Sequence, residues 1–247
     1  MGKSIIIIPS RLAASRLPNK PLIKIKNKTL IMHVYEKALK SGVGEVYVAT
    51  CDTQIAKEVE KNGGKSVMTH SSHTTGTDRI FEALKKLNLK NIDFILNVQG
   101  DEPMINPNDI KNLHDISKKK KLDISTLAFE INRKDHYHDE NIVKVMTKKK
   151  ITNSSISEAI KFERKIKQDN RYNVYHHYGI YLYKTKILEK FINLTKTKNE
   201  KENKLEQLRA IDNDIKINVL LANNFSSGID TQEDLLEYKK ILNKEIR

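Results

Sequence analysis

In Ser4-Ile5-Ile6-Ile7-Ile8-Pro9-Ser10-Arg11, four consecutive isoleucines run straight into a proline and a basic loop. A short apolar run without alternation suits a strand buried on both faces, the kind found in parallel sheets covered by helices. The residues downstream repeat that theme. Leu30, Val34 and Ala38 fall on one face of a helix expected from Thr29 to Ser41, and Glu45–Thr50 reads as the next strand. Asp52 is placed to cap a helix that stops at Asn62-Gly63-Gly64. Lys65–Met68 is a short strand, Thr77–Leu87 a helix and Phe94–Val98 another buried strand, and Pro107 fits the first turn of a helix reaching Lys118. Strands and helices alternating at this rhythm predict an α/β fold: a three-layer α/β/α arrangement on a mainly parallel sheet with right-handed crossovers. Ligands of such sheets bind beyond the carboxyl ends of the strands, which singles out the loops after Ile8, Met68 and Val98.

The second half is less regular. Asp123–Ile131, Val143–Thr147, Gly179–Tyr183 and Lys216–Leu221 read as strands. Helices are expected at Lys186–Asn193, Lys204–Asp212 and Thr231–Asn243, the last capped by Asp230 or Thr231. The stretch Lys148–Asn173 is the most polar, and it reads as an arm or excursion outside the main sheet.

The chain has 247 residues, 38% of them hydrophobic, with no Trp, and a formal charge of +14 from 45 basic and 31 acidic residues. That length suits one large domain or two small ones, and is enough to bury a real core. No purely apolar run exceeds that of Ile5–Ile8, far short of the roughly 20 residues of a bilayer helix. The same run leads into Pro-Ser-Arg rather than a small-residue cleavage site, so no secretory leader is expected. Cys51, the single cysteine, can form no internal disulfide and reads as a small buried residue; no His/Cys spacing resembles a zinc site. A soluble, cytoplasmic protein is expected. Only eight of the 45 basic residues are Arg. Scattered lysines describe a solvated surface better than a nucleic-acid footprint, in which Arg and aromatics concentrate on one element.

The loop Pro9–Leu22 carries Arg11, Arg16 and Lys20 with two serines, Ser10 and Ser15, directly after a buried strand. It is neither a Walker loop nor a dinucleotide fingerprint. Its guanidinium forks and its Lys nonetheless suit a polyphosphate and the charge that builds on a leaving group. In Thr69–Arg79, small hydroxyl residues surround Gly76 just before a helix, where backbone can approach a planar ligand or where a Ser/Thr merely caps. In Asn97-Val-Gln-Gly-Asp-Glu-Pro103, Asp101 stands at a strand's carboxyl end, a place where Mg²⁺ is held by one or two carboxylates together with substrate phosphates.

Together these three segments resemble the 3-deoxy-manno-octulosonate (Kdo) cytidylyltransferases, also called CMP-Kdo synthetases. The resemblance continues through His177-Tyr-Gly-Ile-Tyr181, Lys204-Leu-Glu-Gln-Leu-Arg209 and Gly228-Ile-Asp-Thr-Gln-Glu-Asp234, in the family's order and over essentially the whole chain. It implies the nucleotide-diphospho-sugar transferase (Rossmann-like) fold in a single domain, 1–247, with a CTP-binding half (1–122) and a sugar-binding and dimerisation half (123–247). It implies transfer of CMP from CTP to Kdo, ahead of lipopolysaccharide assembly, by a homodimer with no nucleic-acid or membrane partner. Arg11 and Lys20 would hold the CTP phosphates with Ser10 and Arg16 nearby. His73, Thr75, Gly76, Thr77 and Arg79 would form the cytosine pocket. Asp101 and Asp230 would bind Mg²⁺, and Gln99, His177, Tyr181, Glu206 and Gln207 would contact the sugar acid. Lys20, Arg11, Asp101 and Asp230 would then carry catalysis by alignment and charge neutralisation. Read without the resemblance, Asp230 could cap the last helix, Glu206 could lie on a solvated helix face, and His177 could be a satisfied core histidine.

The sequence departs from the family in two places. Asn19 replaces the usual Gly before Lys20, a tolerable change because Asn accepts a left-handed backbone. After Val143-Lys-Val145 the family carries an aromatic-Ser-Arg segment whose Arg helps bind the sugar acid. Here Ser157 can be matched, but Glu158 stands where that Arg is expected and would repel the substrate carboxylate; Arg164 or Lys161 could substitute. A different acidic sugar, such as 8-amino-Kdo or a nonulosonate, is therefore an alternative substrate. A basic nucleic-acid-binding module, suggested only by the net charge, is the rival from another class.

Overall fold

The computed structural model describes residues 2–13, 16–131, 134–166, 172–223 and 228–244. Ser15 of the first loop and residues 167–171 of the polar stretch lie outside the described residues. The chain divides into two compact units, 1–111 with 226–247, and 112–225.

In the first unit, β1 (Lys3–Ser10) is the inner strand the isoleucine run predicts, with Ile6, Ile7 and Ile8 fully buried. A two-stranded hairpin, β2 (Lys24–Ile25) and β3 (Lys28–Thr29), follows the first loop and leads into α1 (Leu30–Lys40). Then come β4 (Glu45–Thr50), α2 (Thr53–Lys61), β5 (Ser66–Met68), α3 (Gly76–Leu87) and β6 (Ile92–Asn97). These four longer strands form a parallel sheet in the order β5-β4-β1-β6, with α1, α2 and α3 packed against it. The helix α4 (Pro107–Lys120) starts at Pro107 as expected. The last helix, α8 (Gln232–Lys244), returns to this unit, where Leu235, Tyr238 and Ile229 share a buried cluster with Leu17, Ile25 and Leu30. That cluster fixes the far end of the first loop and the segment before α8 on one apolar support.

The second unit holds β7 (Ile124–Glu130), β8 (Lys144–Thr147), β9 (Ser157–Glu163), β10 (Asn173–Lys184) and β11 (Ile217–Leu221). They pair in the order β10-β7-β11-β9-β8, and β10 also pairs with β8; only β7 and β11 run parallel. Within the polar stretch, residues 157–163 are no excursion but a strand between β8 and β11. Polar residues alternate there with buried Ser157, Ala159 and Phe162, and a register shift breaks the pattern further, which hides the strand from a search for apolar runs. Beyond α5 (Thr185–Ile192), the expected helix Lys204–Asp212 is instead two short helices, α6 (Lys198–Asn203) and α7 (Leu208–Ile211). Lys204 takes a left-handed backbone (φ 53°) that ends α6 and puts Glu206 in the turn before α7. Arg209, fully buried, anchors that turn through a bidentate ion pair with buried Glu200 (2.8 and 2.6 Å) and lies 4.7 Å over the Phe191 ring.

Candidate active site

The carboxyl ends of β1 and β6 are neighbours, with Ile7 opposite Asn97, so the loops that follow them share one rim. Their closeness depends on a missing side chain: a Cβ on Gly100 would stand 2.9 Å from the Pro9 carbonyl oxygen. Between these loops and the N-terminus of α3 opens a cleft of about 350 Å³, within the size range of small-molecule sites. Ser10, Arg11, Arg16, Lys20, His73, Thr75, Gly76, Arg79, Gln99, Asp101 and Asp230 all line it. They come from four separate segments of the sequence.

Lys20 stands at the centre. Its Nζ donates to Asp101 Oδ2 (2.8 Å) and to Asp230 Oδ1 (2.9 Å), and Arg16 Nη2 donates to Asp230 Oδ2 (2.8 Å). Burial pulls the Lys20 pKa down, but the two carboxylates outweigh it and hold the ammonium above its ordinary value. Asn19 adopts the left-handed backbone (φ 54°) expected of it, which turns the chain into Lys20. On the other side, the Ile229 N–H donates to the Asp101 carbonyl oxygen (2.9 Å), so main chain ties the two carboxylates' segments together. Asp230 does not cap α8. Thr231 does, its Oγ accepting from the Asp234 N–H (3.2 Å), while Asp234 accepts from the N–H groups of Asp230 and Thr231 (2.9 and 2.8 Å). The Asp230 carboxylate is left to the cleft.

Arg11 is exposed on the rim, with no hydrogen bond or ion pair among the described residues. The Ser10 Oγ is buried and has no partner among them either. Thr75 caps α3, and Thr77 is buried in its first turn. Arg79 is buried as well, donating to Thr69 Oγ1 (2.6 Å); it braces the loop between β5 and α3 from behind.

Two carboxylates outside the expected site, Asp52 and Glu82, organise these loops. Asp52 occupies the expected cap position of α2, yet its side chain makes no cap bond: Oδ2 accepts from the Leu12 N–H (2.8 Å) and pins the residue after Arg11. Neighbouring Cys51 is half-buried rather than buried, its Sγ 3.6 Å from the same oxygen. Extending the strand-end rule to the end of β4 finds Asp52. Glu82, on α3, accepts from the His70 N–H (2.8 Å), from Lys86 Nζ (2.7 Å) and from His73 Nε2. Partial burial pushes its pKa up, and these donors reverse that to about 2. No local signal marks Glu82.

His177, Tyr181, Glu206 and Gln207 belong to the second unit. A register shift in β10 between Tyr178 and Tyr181 lets the His177 and Tyr181 rings meet at 5.4 Å, and Phe162 packs edge-on to His177 at 5.1 Å. Thr126 Oγ1 donates to the Ile180 carbonyl (2.8 Å) and lies 3.1 Å from His177 Nε2. Burial lowers the His177 pKa to about 3, so the ring is neutral at neutral pH. Burial likewise raises the Tyr181 phenol well above its ordinary value. Glu206 lies 3.7 Å from Arg209, and Gln207 precedes α7. Glu158 is exposed and paired with Lys216 (3.4 Å), so its charge is met within the protein. The two proposed substitutes are engaged too: Lys161 pairs with Glu163, and Arg164 Nη1 donates to the Glu140 carbonyl (3.1 Å).

Cations, a carboxylate pair and a glycine-edged loop around one cleft at the strand ends define a nucleotide-handling α/β protein, and comparison with known proteins narrows the class. Residues 5–217 match the family model described as cytidylyltransferase. The chain is 44% identical to a 3-deoxy-manno-octulosonate cytidylyltransferase of Thermodesulfovibrio yellowstonii, over 97% of this chain and 98% of that one. It is 38% identical to the enzyme of the same name from Bartonella bacilliformis, with coverage of 97% and 98%. Among solved structures it superimposes on a CMP:2-keto-3-deoxy-manno-octonic acid synthetase complexed with CTP, with a TM-score of 0.87 and 34% identity over 98% of this chain and 99% of that one. The chain belongs to the 3-deoxy-manno-octulosonate cytidylyltransferase family.

Proposed function

We propose that this protein transfers CMP from CTP to 3-deoxy-manno-octulosonate, releasing pyrophosphate and supplying an activated sugar acid for lipopolysaccharide assembly. It would act as a cytoplasmic homodimer with no nucleic-acid or membrane partner. The observation that carries this reading is the convergence of Lys20, Asp101 and Asp230 on one point of the cleft, beside Arg11 and the N-terminus of α3. CMP transfer is an in-line displacement at the α-phosphorus, in which the sugar's anomeric hydroxyl attacks and pyrophosphate leaves. The protein's task is alignment and charge neutralisation. Arg11 and Arg16 grip phosphate oxygens, Lys20 steadies the charge building on the leaving group, and Ser10 offers its buried hydroxyl nearby. His73 and the Thr75–Arg79 turn enclose the base. In the second unit, neutral His177 and protonated Tyr181, with Glu206 and Gln207, offer hydrogen bonds to the sugar's hydroxyls, and Gln99 does so from the cleft.

The carboxylate pair suits Mg²⁺. Asp101 and Asp230 already converge on one cationic group, the Lys20 ammonium, and their donors are hard oxygens. Among the described residues no third His, Cys, Asp or Glu joins them, as suits an ion that keeps waters and takes substrate phosphates as ligands. Bound there, Mg²⁺ would neutralise phosphate charge and polarise the phosphorus toward attack.

The test is magnesium-dependent pyrophosphate release from CTP with a panel of sugar acids. Release with Kdo above all others is expected. Release only with 8-amino-Kdo or a nonulosonate moves the substrate, and no release with any member of the panel refutes the enzyme.

A further inference from the structure

The Lys20 ammonium sits where a metal would. It bridges the two carboxylates at 2.8 and 2.9 Å with a side chain only 12% exposed, and Arg16 takes the remaining oxygen of Asp230. Two cations therefore balance the two carboxylates. We propose that Lys20 occupies the Asp101–Asp230 metal position in the free protein, so that a divalent cation enters only when a nucleoside triphosphate draws the ammonium away. The inference rests on the cytidylyltransferase reading for the identity of that nucleotide.

The energetics run one way. An incoming divalent ion must displace an ammonium that is largely shielded from water, and a displaced, unpaired charge in such a place is costly. Two carboxylates alone hold Mg²⁺ weakly, because the ion surrenders its waters reluctantly. A triphosphate changes both sides of the exchange. It gives Lys20 and Arg16 new anionic partners, and it brings phosphate oxygens that complete the metal's ligand set. Metal and nucleotide then arrive together, and neither charge is stranded. The Ile229–Asp101 main-chain bond and the left-handed turn at Asn19 hold the partners in place, so the exchange requires only that the Lys20 side chain swing.

Mn²⁺ is the probe, its free concentration read by electron paramagnetic resonance in protein solutions without nucleotide. Wild type should bind Mn²⁺ weakly, and Lys20→Met, which keeps the buried stem, should bind it at least about tenfold more tightly. Arg16→Gln, at an exposed position that does not threaten folding, should gain roughly two- to threefold. Adding Asp101→Asn to Lys20→Met should abolish the gain. Wild type binding Mn²⁺ as tightly as Lys20→Met overturns the proposal. If Lys20→Met does not fold, no gain in Arg16→Gln overturns it instead. These arms contain no CTP: a gain in the variants alongside an inactive wild type would sink the enzymatic reading and leave the exchange standing.

Discussion

Glu82 lines no part of the cleft, yet it holds the His73 ring, the His70 backbone and Lys86 at once. Its negative charge is what three donors share, and an amide cannot replace it: Glu82→Gln keeps the shape but leaves a donor facing a donor. The His73 ring should then loosen and nucleotide affinity fall. We expect the KM for CTP to rise about three- to tenfold, the net worth of roughly one ordinary hydrogen bond, with kcat at saturating CTP within about twofold of wild type. Steady-state kinetics with CTP varied will check this, and an unchanged KM would deny Glu82 its positioning role. Legibility at this scale followed sequence distance. Arg11, Arg16 and Lys20 share one loop after a buried strand, and Asp101 follows a strand end, so all four were readable as lining one cleft. Asp230 was joined to Asp101 only through the family resemblance, because local rules leave it as one of two possible caps. Asp52 stands just past the end of β4, within reach of the strand-end rule, whereas Glu82 has no local mark and its bond to the His70 amide follows from no spacing in the sequence.

At the scale of elements, β10 carries two adjacent histidines whose pKa values burial lowers, His177 to about 3 and His176 to about 4; His136 and Lys144 depress His176 further. Both values lie below the unfolded pKa of about 6.5. The unfolded chain therefore takes up protons in acid that the native protein refuses. The stability that depends on the neutral rings is complete above pH 6.5 and is lost progressively as pH falls toward 4 and 3. Thermal unfolding should occur at lower temperature at pH 5 than at pH 7. In His177→Gln, stability should fall with acid less steeply, by up to about one proton's worth of slope. An identical slope in the variant would contradict the assignment. In the first unit β1, β4 and β6 were legible because each is a dense apolar run, and α2 because it ends on a stop signal; the β2–β3 hairpin, two residues a strand with a lysine in each, offers no such cue. In the second unit those cues fail for physical reasons. β9 is stabilised by pairing on both sides while Glu158 and Lys161 stay exposed, and the helix expected from Lys204 is cut by a left-handed backbone at a residue that ordinarily favours helices.

For the whole molecule, the +14 charge invited a polyanionic partner. The structure gathers Arg11, Arg16 and Lys20 at one cleft and pairs two of them with carboxylates, while other lysines pair singly with neighbours on the surface, as Lys28 does with Glu36 and Lys65 with Glu45. Such scattered pairs contribute little to stability or recognition. Under the proposed function, the charge at the cleft would serve one triphosphate. The most direct measurement follows the label from CTP carrying a radioactive α-phosphorus and, separately, a radioactive γ-phosphorus, each with Mg²⁺ and 3-deoxy-manno-octulosonate. Label from the α-position should appear on the sugar acid together with cytidine, and label from the γ-position should leave wholly as pyrophosphate. Label passing to the sugar from the γ-position, or no transfer from either, would contradict nucleotidyl transfer at this cleft.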